Sequence, residues 1–214
     1  MKKQITLGIA LLMLLSILSG CGSDTASPTT LAPETTAATE AAPTPVGTLY
    51  VSFGAALEIT YDEEGNALTL TGVNDAGKLL AEAKQDQLNK GCVYTLRSIL
   101  RMVIDQQLLG DAKTVTVRIG AEDPLPTEDF LQTIGQDCQY LIDEEGAGVD
   151  IYCLTGDKLD ETGNLTYETA QMLASKYLGA EATAAETTAT DVYTFTAGEK
   201  TCTVDAFSGL ILGQ

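Results

Sequence analysis

No histidine and no tryptophan occur among the 214 residues of this chain. Without histidine there is no side chain whose ordinary pKa makes it a general base near neutral pH. Ser-His-Asp and Cys-His nucleophile systems are therefore excluded, and carboxylate or Ser-Lys chemistry is what remains. The commonest zinc ligand is missing as well. Positive charge is scarce: 12 Lys+Arg stand against 30 Asp+Glu, a net charge of -18. Such a chain repels phosphate backbones, so no nucleic acid is expected among its partners. Proline is scarce outside one segment, with four of the six prolines between positions 28 and 45. Long apolar runs are missing after the first one. No later segment approaches the ~20 apolar residues that a membrane-spanning helix needs.

That first run explains where the chain is expected to reside. Met1-Lys2-Lys3 precedes an apolar stretch, which ends in Leu18-Ser19-Gly20-Cys21. The lysines stay cytoplasmic, the apolar stretch enters the membrane, and small Ser19 and Gly20 expose the bond before Cys21 to a peptidase. The pattern resembles a bacterial lipoprotein signal at residues 1–20, with Cys21 as the lipidation site. Residues 5–20 would make a helix of ~24 Å, short of the ~30 Å hydrocarbon core, which argues against an uncleaved span. Removing Lys2 and Lys3 leaves 10 cations against 30 acids, a net of -20. Anchoring through two or more acyl chains is stable where one would not be. The expected location is the extracytoplasmic face of the cell membrane. Residues 21–46 are rich in Thr, Ala and Pro, cannot bury a core, and read as a disordered tether.

Four cysteines follow Cys21: Cys92, Cys138, Cys153 and Cys202. Their spacings match no zinc motif. An even number in an exported chain allows disulfides in three pairings. Apolar, strand-like or helix-stripe surroundings equally suit buried free thiols. The sequence leaves both open.

Periodicity supplies the elements. Residues 48–53, 56–61 and 67–73 alternate, with the acidic turn 62–66 between the last two, so a hairpin is expected. Residues 78–84 read as a short helix. Cys92, Leu96, Ile99, Val103 and Leu108 lie on one stripe of a helix that Gly110 ends. Residues 114–119 are a strand, 127–142 a helix and 149–154 a strand. A polar connector at 157–164 suggests a boundary. Thr166 then caps a helix to Leu178, 179–190 is a loop, and strands follow at 191–196, 201–204 and 210–212. The expected fold class is α+β, in two small domains at 47–156 and 165–214.

Two stretches resemble known families. Gly54–Gly77 reads GAALEITYDEEGNALTLTGVNDAG, in which Leu57, Glu58, Ile59, Gly65, Leu68, Leu70, Val73, Asn74 and Gly77 match the middle domain of RsgI-like anti-sigma factors. The likeness extends over 47–120 through the amphipathic helix and the TVTVRI strand. That family cleaves itself at an Asn-Pro bond, and Gly54-Ala55 stands there in this chain. The resemblance therefore implies the module without self-cleavage. It also implies no sigma-binding segment, since almost nothing precedes the signal. Residues 165–214 are similar to a PepSY-type domain through Val204-Asp205-Ala206-Phe207-Ser208-Gly209-Leu210-Ile211. That likeness implies an envelope module, sometimes linked to protease inhibition, and brings no catalytic residue.

No reaction is announced. The acidic clusters 62–64, 143–145 and 157–161 lack the alternating oxygen ligands of a calcium loop and read as solvated turns. Ser98 and Ser175 lie on helices without a nucleophile motif. No catalytic, metal or cofactor residue is expected. The expected function is non-enzymatic: a membrane-anchored binding or regulatory module with an unknown envelope protein as partner. The alternatives are an accessory or weak carboxylate hydrolase, marked by convergent acids of raised pKa, and a purely structural surface lipoprotein.

Overall fold

The computed structural model describes residues 42–185 and 191–213. The expected signal, Cys21 and most of the expected tether lie outside the described residues, as do 186–190 of the expected loop.

Alternation sets the first sheet. β1 (Gly47–Ser52) and β2 (Ala56–Tyr61) run antiparallel with Leu49 opposite Ile59 and Val51 opposite Leu57. One row of side chains enters the core and the other forms the back of the sheet. β3 (Ala67–Gly72) completes the expected hairpin with β2. Asp62 builds the turn by accepting the backbone N–H of Glu64 at 3.0 Å and of Asn66 at 2.8 Å.

α1 (Asp75–Ala83) starts at Asp75 rather than at the expected Lys78. The reason is Asn74, which is a helix cap. Its Oδ1 accepts from Gly77 N at 2.8 Å and from Ala56 N at 3.0 Å, and its Nδ2 donates to Gly54 O at 2.8 Å. One side chain thus starts the helix and closes the β1–β2 turn. Gly77 is needed there because a Cβ would stand 2.1 Å from Ala56 O.

α2 (Cys92–Asp105) buries Cys92, Leu96, Ile99, Leu100 and Val103 against the sheet. It ends before the expected Leu108, because Gln107 takes a left-handed φ of 57° and turns the chain out. Leu108 is consequently off the stripe and exposed. β4 (Thr114–Ile119), α3 (Phe130–Glu144) and β5 (Asp150–Cys153) follow. The sheet order is β3-β2-β1-β4-β5, antiparallel except for the parallel pair β4–β5. Gln139 on α3 seals the outer edge of β5, accepting from Ile151 N at 2.8 Å and donating to Val149 O at 3.3 Å. A side-chain amide there takes the place of a further strand and blunts an aggregation-prone edge.

The connector is tied down. Lys158 Nζ donates to Cys153 O at 2.6 Å, and Leu159 bridges to Leu165. α4 (Tyr167–Leu178) begins at Thr166, whose hydroxyl accepts from Thr169 N, and ends at left-handed Gly179. A short strand lies within the expected loop: β6 (Thr183–Ala184). β7 (Val192–Ala197), β8 (Lys200–Asp205) and β9 (Ile211–Gly213) complete an antiparallel sheet in the order β6-β7-β8-β9.

The architecture is α+β. Two apolar cores exist, one between the first sheet and α1–α3, the other between α4 and the second sheet. Tyr152 and Leu154, at the end of the first sheet, join the second core. Ala41–Gln214 accordingly forms one compact unit.

Candidate functional site

The outer side of α2 carries the most distinctive chemistry among the described residues. Burying 92, 96, 99, 100 and 103 leaves the opposite stripe free, and that stripe is cationic and aromatic. An open groove of about 570 Å³ runs along it, lined by Val93, Tyr94, Arg97, Ser98, Arg101 and, from α3, Asp137. Tyr94 is 58% exposed. Lys90 Nζ lies 5.1 Å from the centre of its ring and bonds Gln87 Oε1 at 3.1 Å. Lys84 Nζ reaches the groove at Ser98 Oγ, 3.1 Å away. Arg97 pairs with Asp137 at 3.0 Å and Arg101 with Glu145 at 3.3 Å, all four side chains remaining partly exposed. Exposed pairs of this kind contribute little to stability, ~0–1 kcal/mol. Their charges therefore stay available to a ligand.

In sequence Arg97 and Arg101 merely fall off the apolar stripe of α2, and that periodicity does not show the groove. A signal was present. Lys78, Lys84, Lys90, Arg97 and Arg101 are five of the ten cations beyond Lys3, gathered within 24 positions.

The acidic clusters are each spent locally. Asp62 and Asp160 hold backbone N–H groups of their own turns, and Glu145 pairs with Arg101. Among the described residues no group of three His, Cys, Asp or Glu could hold a metal ion. The Asp62, Asp129 and Asp160 carboxyls lie below the ordinary carboxylate range. Hydrogen bonds from nearby groups favour their ionised forms, although at Asp62 burial, the largest single influence, opposes this. A carboxylic general acid needs the opposite direction. Ser98 accepts from Lys84, whereas Ser175 donates to Gln171 O and accepts from Ala182 N.

All four cysteines after Cys21 are free thiols. Burial pushes Cys92 and Cys138 up to about 12 and raises Cys153 and Cys202. Thiolate is the reactive form, so the three buried thiols are protected at neutral pH and the half-buried Cys153 reacts slowly. Under native conditions at pH 7.5, a disulfide reagent is expected to leave Cys92, Cys138 and Cys202 unmodified and to label Cys153 slowly. All four should react in denaturant. Rapid native labelling of Cys92 or Cys138, or a bridged pair in purified protein, would contradict this.

A second arrangement joins the two cores. The 205–209 loop docks on the back of β4. Arg118, 1% exposed, donates through Nη1 to Phe207 O and stacks 3.9 Å from the Phe207 ring. Tyr50 meets the same ring edge-on at 4.9 Å. Thr116 Oγ1 donates to Ser208 O at 2.7 Å. Arg118 Nη2 is buried without a hydrogen-bond partner. Burial pushes the guanidinium down, and nearby Tyr50 and Asp205 oppose that. This is a clasp between elements, and a small cavity of about 140 Å³ opens beside it at Gly209 and Thr114.

No family model matches the chain, and no curated protein matches it.

Proposed function

We propose that this chain is a non-enzymatic lipoprotein, anchored through Cys21 on the extracytoplasmic face of a bacterial membrane, which binds an envelope protein through the outer side of α2. The observation that carries the reading is the groove at Tyr94: exposed aromatic surface lined by Arg97, Arg101 and Asp137, with Lys90 over the ring and Lys84 on Ser98, on a chain of net charge -18. Aromatic and arginine side chains are the types that dominate protein–protein interfaces. The likeness of residues 47–120 to the RsgI-like middle domain and of 165–214 to PepSY domains supports an envelope module. Gly54-Ala55, where the first family has Asn-Pro, favours binding over self-cleavage.

The test is photo-crosslinking in the native cell with benzoylphenylalanine at position 94, and with the same group at Leu212 on β9 as control. An adduct of one defined mass is expected at 94, absent at 212, and lost when Arg97 and Arg101 are both changed to Glu. No adduct at 94, or one indifferent to the charge reversal, would remove the basis for this function.

A further inference from the structure

We infer that the α2 groove takes an extended acidic peptide segment of its partner, with an apolar residue against Val93 and Tyr94 and a carboxylate two residues to either side of it. The inference rests on the binding function proposed above and specifies its ligand.

Spacing is the first argument. Tyr94, Arg97 and Arg101 follow one another along α2 at intervals of three or four residues, one helical turn each, and Lys90, just before the helix, lays its Nζ over the Tyr94 ring. At ~1.5 Å per residue Tyr94 to Arg101 spans about 10 Å, and Lys90 Nζ, 5.1 Å from the ring centre, extends the stripe to at most about 15 Å. An extended peptide covers that length in about five residues, and its same-side groups recur every ~6.6 Å, close to the ~5.4 Å pitch of the helix. The long Lys and Arg side chains absorb the difference. Positions 1, 3 and 5 of such a segment face the stripe together, so carboxylates at 1 and 5 meet its cations while an apolar residue at 3 meets Tyr94.

The chemistry of the groove is the second. Arg97 already holds the Asp137 carboxylate at 3.0 Å and Arg101 the Glu145 carboxylate at 3.3 Å. Both guanidiniums are thus set in carboxylate-binding geometry, with the protein's own acids as exchangeable placeholders on the neighbouring helix. Lys84 and Lys90 have no such placeholder: they bond Ser98 Oγ and Gln87 Oε1, neutral oxygens that a carboxylate can replace or join. Ligand carboxylates therefore complete a charge balance that the groove leaves positive.

The apolar lining is the third. Val93 and Tyr94 present a surface for which a phosphodiester polymer has no matching group, whereas a peptide supplies one. The Asp137 carboxylate inside the groove disfavours a densely charged polyanion further. A peptide is accordingly favoured over an anionic wall polymer.

The experiment uses the full processed chain in detergent and three probes, followed by fluorescence anisotropy. The first is a labelled alternating peptide containing Glu-Ser-Leu-Ser-Glu, the second its block isomer Glu-Glu-Ser-Ser-Leu, and the third a glycerol-phosphate oligomer of equal charge. The alternating peptide is expected to bind best and to weaken as salt rises. Lys90→Ala with Arg101→Ala should weaken it roughly tenfold, as two partly exposed charge contacts predict. Asp137→Asn should tighten it severalfold, since that change removes a competing carboxylate while leaving the fold's cores untouched. Equal or tighter binding of the block peptide or the phosphate oligomer overturns the inference, and so does weaker or unchanged binding by Asp137→Asn. If no probe binds while the position-94 adduct still forms in cells, the ligand class is wrong and the binding function stands. If both fail, both fall.

Discussion

Arg118→Ala is expected to lower the stability of the folded chain by about 3 kcal/mol, the range for truncating a large buried side chain and leaving a carbonyl unpaired. Arg118 fills the space between β4 and the 205–209 loop, bonds Phe207 O and stacks on the Phe207 ring. Removing it leaves a cavity and takes away a cation–π contact, the latter ~1–2 kcal/mol when desolvated. One effect runs the other way. The guanidinium is a buried charge with no carboxylate in salt-bridge contact, and its Nη2 is unpaired. Arg118→Met keeps most of the volume and removes that charge, so it should cost at least ~1 kcal/mol less than Arg118→Ala. Gly209→Ala should act at the same clasp. Gly209 sits at a φ of 71°, and a Cβ would stand 3.0 Å from Thr116 Cγ2. Urea unfolding followed at two probes, one in each core, measures all three variants. Arg118→Ala should shift the midpoint and separate the two transitions. A shift under ~0.5 kcal/mol with coincident transitions would show that the clasp does not couple the cores.

The position of Arg118 shows where local pattern stops informing. In Thr114–Ile119 the sequence alternates, and alternation places Thr116 and Arg118 on a solvent face. They are buried because a loop some ninety residues later covers them, and no periodicity within the strand encodes a cover from so far along the chain. Elements set by local rules were legible in full: β2 and β4 from alternation, and α4 from the Thr166 cap and its apolar stripe. The α2 stripe was legible except at its end, where Gln107 adopts a backbone conformation that its residue type does not announce. The cap at Asn74 was not legible because Asn serves turns and caps alike, and its two further bonds to the β1–β2 turn are tertiary. The groove was half legible. Its cations cluster in the sequence, but the pairing of Arg97 and Arg101 with α3 depends on how two helices pack.

Alkaline pH provides the second large effect. Cys92, Cys138 and Tyr61 are buried, and burial, the leading cause for each, pushes them up to about 12. Neighbouring acids, Asp62 for Cys92 and Asp137 for Cys138, add to the rise. The ordinary thiol value here is 9.0 and the ordinary phenol value 10.0. Above pH 9 the unfolded chain therefore gives up thiol protons that the folded chain keeps. With fewer protons bound in the unfolded state, stability falls as pH rises, and it does so between 9 and 12. At pH 10.5 each of the two thiols accounts for about 2 kcal/mol of that loss, from 1.36 kcal/mol per pH unit above 9. The expected result is a folded chain whose denaturation midpoint changes little from pH 7 to 8.5, then drops steeply, in the presence of reductant throughout. The double variant Cys92→Ala/Cys138→Ala should be less stable at pH 7, by roughly 1–2 kcal/mol per site from the lost volume. Its slope above pH 9 should nevertheless be shallower, because only Tyr61 and the weaker contributors remain. The crossing of those two tendencies is the diagnostic. A double variant as steep as the parent between pH 9 and 11 would mean that the two buried thiols do not govern alkaline unfolding.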